Sequence, residues 1–399
     1  MNPNADNVLV VGAGPVGLTV ALQLLAAGQP VTVLEREHGL PEDMRASTFH
    51  PATLDLLAPS GLAAALVAQG TRVPRWQYRV HETGEAAVFD LGLLAEETRH
   101  PYRLQCEQFR FARLVMDHLR DHPGFTLLRG ACVTGLEQDA ESVHVDYTHL
   151  GEAQRMGARW VVAADGGRSS LRKLMDLSFE GSVFPKTSIT LVLDHAFEEQ
   201  DPDLLGVNYV WSDQGHYSLM RVRDCWRFSY SPEPEETVEE ALSEPRAQER
   251  LRRVFPSEDP YRILQRNHYT LHQRCLENFV QGRVLFAGDA AHLNSPAGGM
   301  GMNSGIHDAF CLVEHLLPVL AGEDARMLAR YDRRRRTIAT EEVQRLSARN
   351  YRRHRETDPA RRRQVFEDLQ ATANEPEQAR AFLRDSAMLN ALRREREIP

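Results

Sequence analysis

Residues 7–37 constrain the fold more than any other stretch of this chain. They read as a buried strand (NVLVV), a glycine turn (GAGPVG), a helix (LTVALQLLAAG, stopped by Gly28) and a second strand (VTVLE). This is a βαβ unit, and the turn Gly12-Ala13-Gly14-Pro15-Val16-Gly17 has the GxGxxG spacing of a dinucleotide site. The spacing has a physical reason. The backbone must turn sharply, approach a pyrophosphate closely, and let the helix pack on its strand. The helix start then faces the phosphates with its partial positive charge. Glu35 ends the second strand about twenty residues on, where a carboxylate accepts both ribose hydroxyls of an adenosine. Arg36 follows it at the same edge.

The run Val8–Gly28 is uncharged and about long enough to span a bilayer. Gly12, Gly14, Pro15 and Gly17 interrupt it, no basic flank precedes it and no cleavage pattern follows, so no membrane segment is expected. With 47 basic and 56 acidic residues, the net charge of −9 lacks the basic excess that nucleic-acid binding needs. The five cysteines are odd in number and contain no CxxC pair, which reads as reduced thiols in a cytoplasmic protein without a metal site.

At 399 residues the chain is too long for one core and suggests two or three units. Strands recur near Thr126–Leu128, Val143–Tyr147 and Trp160–Ala164, extending the opening sheet. Between Phe179 and Tyr269 the texture changes to period-two segments (SITLVLDHAF, GVNYVW, HYSLMRV, WRFSY), expected to form an antiparallel sheet. The acidic stretch Glu233–Glu244 reads as a solvated helix. GRVLFAGDAAH then returns to the first domain, followed by a helix over about Asn303–Leu317. Beyond residue 325, arginine-rich helices carry acids at helical spacing, which reads as a solvated, ion-paired face.

Two further motifs follow in order: Asp165-Gly166-Gly167-Arg168-Ser169-Ser170 after the strand WVVAA, and GRVLFAGDAAHLNSPAGGMGMN around Asp289. With the opening glycine turn, these resemble the DG and GD motifs of the single-component flavoprotein aromatic hydroxylases, the p-hydroxybenzoate hydroxylase-like FAD monooxygenases. The resemblance runs from about residue 6 to residue 340. It implies an α/β fold: a Rossmann-like FAD-binding domain in three pieces (1–75, 100–178 and 280–325), an inserted antiparallel-sheet substrate domain (76–99 and 179–279) and a helical C-terminal region (326–399). The length leaves no room for the thioredoxin-like domain of the phenol hydroxylase branch.

By the same resemblance, Asp165 approaches the FAD pyrophosphate, Asp289 meets the ribityl chain or pyrophosphate side, and Gly299, Gly301, Met302 and Asn303 present backbone N–H groups to the flavin's pyrimidine edge. Arg45, Gln108 and Val133 stand where the family holds the pyrophosphate, ribityl chain and adenine. The implied reaction is hydroxylation of a phenolic or hydroxylated N-heteroaromatic substrate: NADH or NADPH reduces FAD, O2 adds to give a flavin C4a-hydroperoxide, and one oxygen passes to the ring. Pro296 is expected to offer its carbonyl to the substrate, Tyr217 to stand beside the ring, His50 to relay a proton and Arg221 to pair with a substrate carboxylate. The partner is a small aromatic molecule, and the protein a monomer or homodimer. Two other readings share the FAD scaffold: a reductase or dehydrogenase without oxygen insertion, and a non-catalytic flavin-binding redox sensor.

Overall fold

A computed structural model describes residues 8–40, 42, 46–184 and 187–399. The opening strand Val8–Val11 is buried throughout and pairs in parallel with Val31–Glu35 on one side and Trp160–Ala163 on the other. Such a strand is apolar on both faces because helices cover both sides of the sheet. Val284–Phe286 and Phe125–Arg129 extend it, and Val280–Gln281 closes one edge antiparallel, giving six strands. The helix Pro15–Ala26, with Pro15 at its start, packs against the 20-residue helix Gly301–Leu320.

The second large layer is a seven-stranded sheet in the order 262–269, 188–194, 225–230, 215–222, 207–212, 75–80, 86–90. All of its pairings are antiparallel except 207–212 with 75–80. Each face is buried for a different reason. Ile189, Leu191, Val210, Tyr217, Leu219 and Phe228 pack beneath the helices Val238–Leu242 and Glu244–Val254. Trp76, Tyr78, Val207, Tyr209 and Trp211 face the C-terminal helices.

The acidic stretch departs from the sequence expectation. Its helix is only Val238–Leu242, and Glu233 and Glu236 fold back onto Arg246, Arg250 and Arg253 of the next helix. The C-terminal helices depart further. Residues 328–397 form five α-helices with a π-helical stretch at Ile338–Gln344, and several arginines turn inward. Arg335 is fully buried. Its Nε lies 2.6 Å from Asp308, another of its nitrogens meets Glu395, and a third donates to the Ser304 carbonyl at 3.2 Å. Asp308 in turn accepts from His292 and from the Gly288 N–H, each at 2.8 Å. Burial opposes ionisation of Asp308, but His292 and Arg335 outweigh it and hold the carboxyl below the usual carboxylate range.

Arg335→Leu leaves Asp308 and Glu395 buried without their cation, so the variant is expected to lose about 3–5 kcal/mol of stability at neutral pH. Denaturant unfolding measures this, and an unchanged midpoint would show that the cluster holds nothing together. Because the folded-state pKa of Asp308 is depressed, its share of the wild-type stability is present above the unfolded carboxylate range and is lost as the pH falls below about 4.

Candidate active site

One cavity of about 940 Å³ runs from the opening glycine turn to the seven-stranded sheet and the C-terminal helices. At its nucleotide end, Gly12 turns with φ +107°, and a Cβ there would strike the Ala164 carbonyl. Gly14 has ordinary φ −74°, and a Cβ on it would meet nothing within 4 Å because that side opens into the cavity. Gly17 is sealed against the Gly12 carbonyl, so the helix sits tight on its strand. Pro15 and Val16 line the cavity beside them.

Glu35 lines the same end, its carboxylate fixed by the N–H groups of Ala13 at 2.7 Å and Glu37 at 2.8 Å. Arg36 lies at the mouth, paired with Glu37 at 3.1 Å. Gln108, first residue of the helix Gln108–Leu119, and Val133 line the wall. Asp165 caps the helix Ser170–Leu174 through Ser170 N at 2.7 Å, while its Oδ1 is buried without a hydrogen-bond partner. Asp289 projects into the cavity from the turn Gly288–Ala290. Arg45 lies outside the described residues.

The loop 296–302 forms the floor between the two ends. The helix it starts, Gly301–Leu320, has no side-chain cap and no acid in its first turn. By helix geometry the leading N–H groups, those of Gly301, Met302 and Asn303, have no acceptor within the helix. Gly299 joins this floor with φ +69°. The Asn303 side chain is not a cavity group: it accepts the His50 N–H at 2.9 Å and donates to the Thr48 and Gly299 carbonyls at 2.8 and 2.7 Å. These features fit FAD. Gly14 leaves a cradle that a side chain would fill, Asp165 keeps an orphaned oxygen, and two uncapped helix starts face the space between.

The four residues expected at the substrate fare differently. Pro296 lines the cavity, and its carbonyl already accepts the Gly299 N–H at 2.9 Å, leaving one lone pair. Tyr217 does not line it. Neighbouring side chains on a strand alternate, and on Gly215–Val222 it is His216, Ser218 and Met220 that face the cavity. Tyr217 lies in the opposite core, bonded to His81 at 3.1 Å, its hydroxyl pKa raised by burial. Arg221 shares that parity and pairs with Glu198, its guanidinium 5.6 Å from the Trp226 ring. His50 is fully buried, with Nε2 bonded to the Gly298 carbonyl at 2.8 Å. Burial, then Arg103, lowers its pKa to about 3, so it is neutral at physiological pH, and its ring ties down the loop at Gly298.

Sequence reasoning missed the wall at the sheet end. Trp76, Tyr78 and Tyr209 rise from the sheet, with Tyr78 and Tyr209 centroids 5.2 Å apart, and Phe382 comes from the helix Pro376–Ser386. Arg103, Arg227 and Arg349 also face the cavity. The aromatic alternation of RWQYRV was a usable signal for Trp76 and Tyr78, whereas the arginines carry no local mark. Among the described residues no cluster of His, Cys, Asp and Glu is arranged to hold a metal, and no helix is long and apolar enough to cross a membrane.

Residues 6–346 match a family described as FAD binding domain. The para-nitrophenol 4-monooxygenase of Pseudomonas sp. strain WBC-3 is 32% identical over 393 residues, covering 97% of each chain. The 6-hydroxy-3-succinoylpyridine 3-monooxygenase of Pseudomonas putida is 30% identical, covering 84% of this chain and 85% of that one. Among solved structures, p-nitrophenol 4-monooxygenase from Pseudomonas putida DLL-E4 superposes with TM-score 0.91 at 30% identity, covering 98% of this chain and 99% of that chain.

Two substitutions separate the cofactor cradle from the packing behind it. Gly14→Val adds a side chain only to the open side, so the protein should purify largely colourless yet unfold at the midpoint of wild type stripped of its FAD; full FAD occupancy would remove the turn from the site. Tyr217→Phe should keep its FAD and bind aromatic ligands as the wild type does, losing about 1 kcal/mol of stability with the bond to His81. Ligand binding weakened about tenfold, read from flavin absorbance, would return Tyr217 to the cavity wall.

Proposed function

Because the chain belongs to the FAD-binding-domain family of flavin-dependent aromatic monooxygenases, we propose that it hydroxylates a phenolic or hydroxylated N-heteroaromatic ring at the expense of NADH or NADPH and O2. The observation that carries this reading is the continuity of the cavity. A nucleotide cradle at one end opens, past the loop 296–302, into a chamber walled by Trp76, Tyr78, Tyr209 and Phe382. That chamber suits a flat ring, which stacks or packs edge-on against aromatic walls. Bound FAD would supply the redox chemistry, taking electrons from the nicotinamide and passing one oxygen atom of O2 to the ring.

The protein's own work is placement and exclusion. The aromatic wall and the C-terminal helices keep water from the ring, which protects a reactive oxygen species from wasteful decay. The free lone pair of the Pro296 carbonyl is available to a ring hydroxyl, orienting it at the loop. The N–H groups at the start of Gly301–Leu320 and the positive end of that helix stabilise negative charge on the cofactor. No side chain needs to act as nucleophile. Glu35 and Asp289, both lining the cavity, would hold the hydroxyl-rich parts of bound FAD.

The test is the origin of the product oxygen. A library of phenols and hydroxypyridines, screened for accelerated NAD(P)H consumption, supplies the substrate; under 18O2 the product should carry one labelled atom. Product formed under strict anaerobiosis, or without label, would replace the hydroxylase by a dehydrogenase.

A further inference from the structure

The sheet end of the cavity is cationic, although the chain as a whole has a net charge of −9. The carboxylates that line the cavity, Glu35, Glu37, Asp165 and Asp289, all belong to the nucleotide end. Arg103, Arg227 and Arg349 line the other, and among the described residues none of the three enters an ion pair. Arg103 is the most telling. It is only 3% exposed, its guanidinium stacks 4.2 Å above the Trp76 ring, and its Nε is buried without a hydrogen-bond partner. A guanidinium cannot shed its proton to escape burial, and a face of tryptophan offsets only part of the lost hydration. Arg349, on the helix Arg345–His354, also has a buried, unpartnered Nε.

We propose that Arg103, seconded by Arg349, is the receptor for an oxyanion substituent on the aromatic substrate. The ring lies against Trp76, Tyr78 and Tyr209, and its anionic oxygen completes the coordination that the arginines lack. Arg103 is well anchored as such a receptor, since its guanidinium packs over the Trp76 ring and its side chain is almost entirely buried. A planar fork held in place recognises a two-oxygen anion in a bidentate way and a single phenolate oxygen through one strong bond. The same cation acts on reactivity as well as on binding. A phenol beside Arg103 ionises more readily, and a phenolate ring is the better nucleophile. The fixed positive charge of Arg103 thus supplies the activation of the ring hydroxyl without a titrating side chain.

The inference rests on the aromatic-substrate reading and narrows it, so its test reads binding instead of turnover. FAD-loaded protein is titrated with matched ligand pairs, following the perturbation of flavin absorbance: 4-hydroxybenzoate against 4-hydroxybenzamide for a carboxylate, and ionised 4-nitrophenol against 4-nitroanisole for a phenolate. At least one anion should bind about tenfold or more tightly than its neutral match, and the pair that shows the preference identifies the oxyanion. Arg103→Gln should abolish the preference with neutral ligands unaffected, and Arg103→Lys should keep part of it. Neutral ligands binding as tightly as anions in the wild type, or a preference that survives in FAD-loaded Arg103→Gln, overturns the proposal and leaves the hydroxylase reading standing. If Arg103→Gln fails to retain FAD, the wild-type pairs and Arg349→Gln decide in the same terms. A protein whose flavin responds to no aromatic ligand at all overturns both readings.

Discussion

The turn that presents Asp289 to the cavity is held from the far end of the chain. Gly288 adopts φ +61°, and its N–H is fixed by the Asp308 carboxylate. That carboxylate is ionised only because His292 and Arg335 stand beside it, and Arg335 is itself balanced by Glu395, four residues from Pro399 in the sequence. Remove any member and another is left charged in a medium that solvates charge poorly. The coupling therefore runs as one connected chain through the fold: closing helix, buried arginine, long helix, glycine turn, cofactor residue. An apolar replacement of the whole cluster could match it in stability, but it would not fix the Gly288 N–H in this direction. The Tyr331 hydroxyl adds a second tie from the same helix, bonding the Phe286 carbonyl at 2.6 Å.

Much of the nucleotide end was legible in the sequence because each residue there meets a constraint that few residue types satisfy. Gly12 needs a positive φ and no Cβ, Gly17 needs no Cβ, and Glu35 needs a carboxylate at a strand end that can reach back to the Ala13 N–H. Such requirements leave a pattern with fixed spacing. Asp165 shows the limit of that logic, since one carboxylate caps a helix with Oδ2 and leaves Oδ1 unpartnered. The helix cap and the expected pyrophosphate contact therefore draw on different oxygens of one carboxylate.

The sheet end was poorly legible, and the strand HYSLMRV shows why. Period two says that neighbours face opposite ways, but it does not say which face is the core when both are buried. Here the face with Tyr217 and Leu219 packs under helices, while the face with His216, Ser218 and Met220 borders the cavity. Polarity does not decide it either, since Arg221 shares the face of Tyr217 while Met220 borders the cavity. A tyrosine on the other side is core even though it has a hydroxyl, because His81 accommodates that hydroxyl.

The arginine-rich terminus failed to read correctly for a different reason. Its expected ion pairs do exist, as in Arg363 with Glu367 and Arg380 with Glu377, and they make the whole region look like a solvated face. Between the helix Leu328–Thr337 and the helix Arg345–His354, however, the π-helical stretch Ile338–Gln344 changes the number of residues per turn. A face followed at 3.6 residues per turn through that stretch arrives rotated, so acids before it no longer predict what arginines after it will meet. Arg345 stays outside with Glu342, whereas Arg349, one turn on, faces the cavity and Arg353 lies 5.6 Å from the Phe382 ring. Arg345 and Arg349 both follow that stretch, one turn apart on a single helix, so what separates them is how Arg345–His354 packs over the cavity, which no acid–arginine spacing encodes.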